Sequence, residues 1–259
     1  MRKDVVIEVE NLEVRRGATT VITDASFTIS RGEYVGIVGP NGGGKTTLVE
    51  AVLGLLPKTK GQIRIFGKSV DDFDEWERIA YVPQHATNFD EMFPLTVKEL
   101  VAQGRIGRTN MGRKLGREDW NKVKEAMEFL EISHLADKRI GKLSGGQKQR
   151  AFIARAIARE PEVLFLDEPV AGVDPSVQEK FYKLLSDLNL KKGTTIISVS
   201  HDLSVVFCRM SRVICVNQRT YSCHIDERMD PEKVLRQVYG EHFHFVFHRH
   251  ECRGVFGNE

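Results

Sequence analysis

Gly39-Pro40-Asn41-Gly42-Gly43-Gly44-Lys45-Thr46-Thr47 decides the reading of this chain. It fits the pattern G-x-x-x-x-G-K-[ST], with Gly39, Gly44, Lys45 and Thr46 at the fixed positions. The run before it, Tyr34 to Val38, is short, apolar and rich in β-branched residues, and Thr46 to Leu53 after it carries apolar residues at helical spacing. The expected context is therefore strand, loop, helix. Glycines let backbone amides turn inward around an anion, and a following helix presents about +0.5 of a charge at its N-terminus. Lys45 adds a full positive charge, and Thr46 adds a hydroxyl suited to a Mg²⁺ that bridges phosphate oxygens. The stretch reads as a nucleotide phosphate cradle rather than an ordinary glycine-rich turn.

The chain has 259 residues, enough for a sizeable core, and is expected to form a single domain over 1–259. A formal net charge of +2 offers no reason to expect nucleic acid or an acidic membrane surface as a partner. The four cysteines, Cys208, Cys215, Cys223 and Cys252, form no C-x-x-C pair, and Met1 to Val5 lacks the apolar core of a signal peptide. Both features point to a reducing cytoplasm. No uninterrupted apolar stretch approaches the ~18 residues that cross a bilayer, so any membrane work needs another chain.

Val5 to Glu10, Asn11 to Arg15 and Ala25 to Ile29 have strand character, and with Gln62 to Phe66 they suggest an antiparallel layer around the cradle. A short strand, Ile79 to Val82, runs into Pro83-Gln84. From about 85 to 160 strand signals fade and a helical subdomain is expected. Thr96 and Glu99 have capping-box spacing at the start of a helix over Val97 to Gln103. A second helix places Trp120, Val123, Met127 and Leu130 on one face, read as core. The basic run Arg105, Arg108, Arg113, Lys114 and Arg117 reads as a solvated loop in preference to a lipid or nucleic-acid contact.

Strands return at Val163 to Leu166, Thr194 to Ser198 and Val213 to Val216, with a helix between the first two that Asp174 can cap and Pro175 can start. On that helix Val177, Phe181, Leu184, Leu185 and Leu188 share one side. Strands alternating with helices after a phosphate loop imply an α/β fold with a mainly parallel sheet.

The strand at Val163 ends in Asp167-Glu168, two adjacent carboxylates whose side chains leave a strand in opposite directions. Asp167 suits Mg²⁺, and Glu168 suits a base for the attacking water. Leu143-Ser144-Gly145-Gly146-Gln147 opens another helix. Ser144 and Gln147 have capping-box spacing, while the two glycines expose amides at a positive helix end, a second anion site.

Taken together, Gly39 to Thr47, Gln84, Leu143 to Gln147, Asp167-Glu168, Asp174 and His201 resemble, in kind and order, the motifs of ATP-binding cassette (ABC) ATPases. The resemblance covers nearly the whole chain. It implies a P-loop NTPase fold with a RecA-like core sheet, an N-terminal antiparallel β layer and an inserted helical subdomain. It also implies ATP and Mg²⁺ as cofactors. Gly39, Pro40, Asn41, Gly42, Gly43, Gly44, Lys45, Thr46 and Thr47 would hold ATP in one copy, and Ser144, Gly145, Gly146, Gln147 and Asp174 of a second copy would close on it. Gln84 would sense Mg²⁺ and the transport partner, His201 would contact the γ-phosphate, and Thr46, Gln84 and Asp167 would serve Mg²⁺. The implied catalytic set is Glu168, His201 and Gln84.

One position departs from the pattern. The family usually has an aromatic residue before the glycine of the first loop, stacked on adenine, whereas Arg16 stands before Gly17 here. A guanidinium plane can also stack on a base, or Arg16 can simply be exposed.

Phe93 to Arg105 and Glu168 to Asp174 look like the matching segments of zinc and manganese uptake cassettes, and iron-chelate importers share parts of both. The resemblance implies an ATPase subunit of an importer, peripheral on the cytoplasmic face of the membrane. Its partners would be a second copy, integral-membrane permease subunits and, indirectly, an extracytoplasmic solute-binding protein, with no nucleic acid. The alternatives are an iron-chelate importer or a soluble, non-transport cassette ATPase. Within the region 222–259, an extended chain would place His242, His244, His248, His250 and Cys252 on one face and Phe243, Phe245 and Phe247 on the other. That face could bind Zn²⁺, or the phenylalanines could pack on the domain or a second subunit.

Overall fold

The computed structural model describes residues 4–86, 94–107, 110–170, 175–225 and 229–239. It forms two compact units, Met1–Asp74 with Asn189–Glu259, and Glu75–Leu188.

The first unit begins with β1 (Val5–Arg16), which pairs antiparallel with β2 (Thr19–Ser30). The sequence suggests two strands here, broken at Asn11. The structure has one, because Asn11 takes φ 47 where the register shifts between Val9 and Leu12. A bulge of this kind puts Ile7, Val9, Leu12 and Val14 all on the buried side despite the broken alternation. β3 (Tyr34–Val38) is buried along its whole length and runs into the glycine-rich loop and α1 (Lys45–Val52). β4 (Lys60–Ile65) pairs with the other edge of β1 and is followed by the short β5 (Lys68–Ser69), giving the antiparallel layer β2-β1-β4-β5.

The second unit opens with β6 (Ile79–Val82) and continues into α2 (Val97–Ala102), α3 (Arg117–Phe129) and α4 (Gly145–Ile157), which pack against one another. The expected capping box opens α2. Thr96 Oγ1 accepts the Glu99 amide at 3.4 Å, and Glu99 Oε2 accepts the Thr96 amide at 2.8 Å. The core of the trio is Leu100, Val101, Val123, Met127, Leu130 and Phe152. Burying each such side chain stabilises the unit by about 1.5–3 kcal/mol.

Two expectations need correction in this unit. Trp120 is not in the core: it is 44% exposed, and Ala126 takes the inward place beside Val123 and Met127. Arg105 is not part of a solvated loop either. Its guanidinium pairs with Asp119 at 3.0 Å and donates to the Ala158 carbonyl at 2.9 Å, tying α2, α3 and α4 together. A charge run in sequence does not reveal which of its members meets an acid and a helix-end carbonyl.

β7 (Val163–Asp167) pairs parallel with β6, and α5 (Pro175–Lys192) leads back to the first unit. On α5, Phe181, Leu185 and Leu188 are buried as expected, while Leu184 is only partly covered and Tyr182 is buried instead.

There the chain adds β8 (Thr195–Val199), α6 (Leu203–Arg209), β9 (Arg212–Asn217), β10 (Arg219–His224) and α7 (Pro231–Tyr239). β3 lies parallel between β8 and β9, and β10 is antiparallel on β9. The core sheet of this unit is thus mainly parallel, as the α/β expectation required. The polar run of β10, Arg219 to His224, hides a strand that is visible only through its partners, β9 on one edge and β2 across the layer. Among the described residues, no helix is long and apolar enough to cross a membrane.

Candidate nucleotide site

The loop Gly39 to Gly44 joins a fully buried strand to a helix, so its backbone leaves the sheet at a fixed point. Gly44 is the N-cap of α1 at φ 101, a left-handed conformation natural to glycine, and no side chain caps the helix there. The first amides of α1 therefore face an anion site rather than a capping oxygen. Lys45 is 6% exposed, and its Nζ donates to the carbonyls of Gly39 at 2.9 Å and Pro40 at 3.0 Å. Its charge is thus held over the mouth of the loop.

Arg16, the last residue of β1, lies against the same helix. Its Nε donates to Thr47 Oγ1 at 3.0 Å, and an Nη pairs with the Glu50 carboxylate. The Arg16 side chain stays about half exposed. The sequence reading missed Glu50 as the anchor. The signal was its position three residues after Thr47, on the same side of the helix.

His201 is exposed just beyond β8. Parallel pairing sets Ile37 opposite Val199, so His201 and Gly39 both lie two residues past a paired couple, at the same end of the sheet. Asp202 next to it caps α6 by accepting the Val205 amide at 3.2 Å. The first unit alone therefore brings together the loop, Arg16 and His201.

The second unit gathers the carboxylates. β6 and β7 pair in parallel with Val82 opposite Leu166, which places Gln84 and Glu168 each two residues beyond that pair. Gln84 Nε2 donates to Glu168 Oε2 at 2.6 Å. Glu168 takes φ 48, a left-handed conformation unusual for a residue other than glycine, asparagine or aspartate. Asp167 is 1% exposed with both carboxylate oxygens buried, a hard anionic donor of the kind that divalent cations with oxygen ligands select. Ser144 caps α4, accepting the Gln147 amide at 3.4 Å while the Gln147 side chain accepts the Ser144 amide at 3.1 Å. Gly145 and Gly146 leave the first turn of that helix open to an anion. Asp174, Phe93, Arg108 and the histidines at 242, 244, 248 and 250 with Cys252 lie outside the described residues.

The chain matches a known family. Residues 22–171 match the model described as ABC transporter. The chain is 38% identical over 214 residues to the zinc uptake system ATP-binding protein ZurA of Listeria monocytogenes, an alignment covering 83% of each protein. The chain belongs to the ABC transporter family. It is 34% identical to the manganese transport system ATP-binding protein MntB of Bacillus subtilis, over 93% of this chain and 94% of that one. The solved dimer of the ATP-binding cassette MJ0796, a post-hydrolysis state bound to ADP and Pi, superposes with a TM-score of 0.72 at 28% identity, covering 85% of this chain and 99% of that one. As a cassette of the ABC family, this chain is an ATPase with the family's α/β fold.

Proposed function

We propose that this ABC ATPase powers the uptake of a divalent transition metal, zinc or manganese, as a peripheral subunit on the cytoplasmic face of a membrane permease. The observation that carries the hydrolytic part is the hydrogen bond from Gln84 to Glu168, which holds a carboxylate at the strand end beside the buried Asp167. The metal part is supported by the 38% and 34% identity to zinc and manganese uptake ATP-binding proteins.

In this reading Lys45 leaves the carbonyls of Gly39 and Pro40 for the phosphates, and the amides of Gly42 to Thr47 surround them. Glu168 orients water in line with the γ-phosphorus and takes its proton while ADP leaves. His201 donates to the γ-phosphate, stabilising charge that grows in the transition state. Thr46, Gln84 and Asp167 offer oxygen donors that suit Mg²⁺, which would neutralise the phosphate oxygens. The chain works as a dimer, as the dimeric MJ0796 cassette supports, and the second copy contributes Ser144 to Gln147. A planar face of the Arg16 guanidinium, whose hydrogen bonds to Thr47 and Glu50 leave from its edge, carries the adenine.

Reconstitution of the ATPase with its permease in liposomes tests the proposal. ATP should drive accumulation of labelled Zn²⁺ or Mn²⁺, and Lys45→Ala should abolish it. Uptake of a ferric chelate but of neither ion would reject the metal assignment.

A further inference from the structure

The back of the phosphate loop rests on two strands from opposite ends of the chain. β9 ends at Asn217 and β10 starts at Arg219, with Gln218 between them at φ 59. The Val216 carbonyl of β9 presses so close that a Cβ on Gly39 would stand 2.0 Å from it, and one on Gly43 2.8 Å. β2 presses on Gly44, where a Cβ would stand 2.7 Å from Ile22 Cδ1. Gln218 joins these two supports. Its amide donates to the Gly43 carbonyl at 3.1 Å, and its own carbonyl accepts the Thr23 amide of β2 at 2.6 Å. All of these residues belong to the first unit.

The consequence lies in the peptide between Gly43 and Gly44. In a trans peptide the carbonyl and the following N–H point in opposite directions. Holding the Gly43 carbonyl against Gln218 therefore turns the Gly44 N–H away from Gln218. A peptide between two glycines otherwise turns readily, and amides converge on a phosphate only if that freedom is removed beforehand. Gln218 supplies the restraint through its main chain alone. Its side chain is exposed and makes no hydrogen bond among the described residues.

We propose that Gln218 is a positioning residue for the phosphate loop: its left-handed backbone clamps the Gly43 carbonyl to β2, so that the loop is shaped for the diphosphate of a nucleotide before the nucleotide binds. The inference rests on the nucleotide reading of the loop and adds to it a residue far away in sequence.

The test uses the full chain and two variants at 218. Gln218→Gly keeps the N–H and accepts φ 59 freely, whereas Gln218→Val keeps the N–H but is β-branched and resists a left-handed backbone. Titration with a fluorescent ATP analogue, and competition by ATP and ADP, should show both nucleotides bound about 3- to 10-fold more weakly by Gln218→Val, with Gln218→Gly restoring the affinity. kcat at saturating ATP should stay near wild type. Asn11→Val imposes the same kind of strain at φ 47 in β1 and should leave nucleotide affinity unchanged. In the wild-type protein without nucleotide, hydrogen exchange should find the amides of Gln218 and Thr23 already protected.

Unchanged affinity in Gln218→Val overturns the proposal, and so does a loss of kcat at unchanged KM. Equal losses in Gln218→Gly and Gln218→Val would overturn it by assigning the effect to the side chain. Equal losses in Asn11→Val and Gln218→Val would do so by assigning it to general destabilisation. Amides of Gln218 and Thr23 that exchange freely until ADP is added also overturn it, and this measurement decides the matter if Gln218→Val does not fold. Lys45→Ala is run alongside. If it binds nucleotide like wild type, the nucleotide reading of the loop fails. If Lys45→Ala loses binding while Gln218→Val keeps it, only the role of Gln218 fails.

Discussion

Gln84 and Glu168 are joined by a 2.6 Å hydrogen bond because each lies two residues beyond a paired position, Val82 and Leu166, on neighbouring parallel strands. The side-chain amide of Gln84 holds one carboxylate oxygen, and Glu168 itself takes φ 48. If this carboxylate is the base proposed above, it is costly to disturb. Glu168→Gln should keep ATP binding and lose turnover by at least ~10²-fold in the assembled transporter. Gln84→Ala should lower single-turnover hydrolysis less, by about 10-fold, since the carboxylate remains. Near-normal hydrolysis by Glu168→Gln would remove Glu168 from the mechanism.

Ser144 caps α4 through the Gln147 amide, and the glycines that follow leave its first amides open. If a second copy's nucleotide docks there, Ser144→Arg should block ATP-dependent dimer formation while leaving the monomer folded. Size-exclusion chromatography with a hydrolysis-deficient background reads this directly, and normal dimerisation of the variant would contradict the shared site.

Arg16 is anchored by Thr47 and Glu50 with its guanidinium about half exposed. Exposed ion pairs contribute little to stability, so a role at the base should appear in affinity rather than in folding. Arg16→Ala should weaken ATP by about 3- to 10-fold, and Arg16→Tyr should bind close to wild type, because either planar group can stack. Equal ATP affinity in all three proteins would leave Arg16 with no part in base binding.

Gly104 closes the approach between the end of α2 and the end of α4, where a Cβ would stand 2.0 Å from the Arg155 carbonyl. Gly104→Ala must push the helices apart or shift the main chain. A loss of about 2–4 kcal/mol in urea unfolding is expected. A loss below about 0.5 kcal/mol would mean that the helices tolerate wider spacing.

Cys215 is wholly buried in β9, and burial, with the Cys223 thiol nearby, pushes its pKa up to about 12. The folded state therefore favours the neutral thiol. Its contribution to stability is complete below the unfolded thiol pKa of about 8.5 and is lost as pH rises toward the folded value. At pH 8.5 iodoacetamide should leave Cys215 unmodified in the native protein and label it after denaturation, as read by mass spectrometry. Labelling at equal rates in both states would show that the β9 core opens readily.

The site residues differ in how far the linear chain reveals them. The phosphate loop, the Ser144 cap and the Asp167-Glu168 pair could be read from sequence because their chemistry depends on neighbours a few residues apart. Glycine spacing, capping geometry and the end of an apolar strand are local facts. The same holds for the buried strands β3, β7 and β8, whose short and largely apolar runs admit few other readings. Trp120 and Arg105 were misread because helical periodicity and charge do not say which face meets another helix or which cation meets an acid. β10 escaped notice because its polar residues gain a strand conformation only from the register with β9. Sequence by itself therefore singled out the glycine loop, the Ser144 cap and the acidic pair. The tertiary structure decided what orients them: Gln84 on Glu168, Glu50 on Arg16, and Gln218 on the glycine loop. These partners are far apart along the chain, and only strand pairing and packing bring them within hydrogen-bond reach.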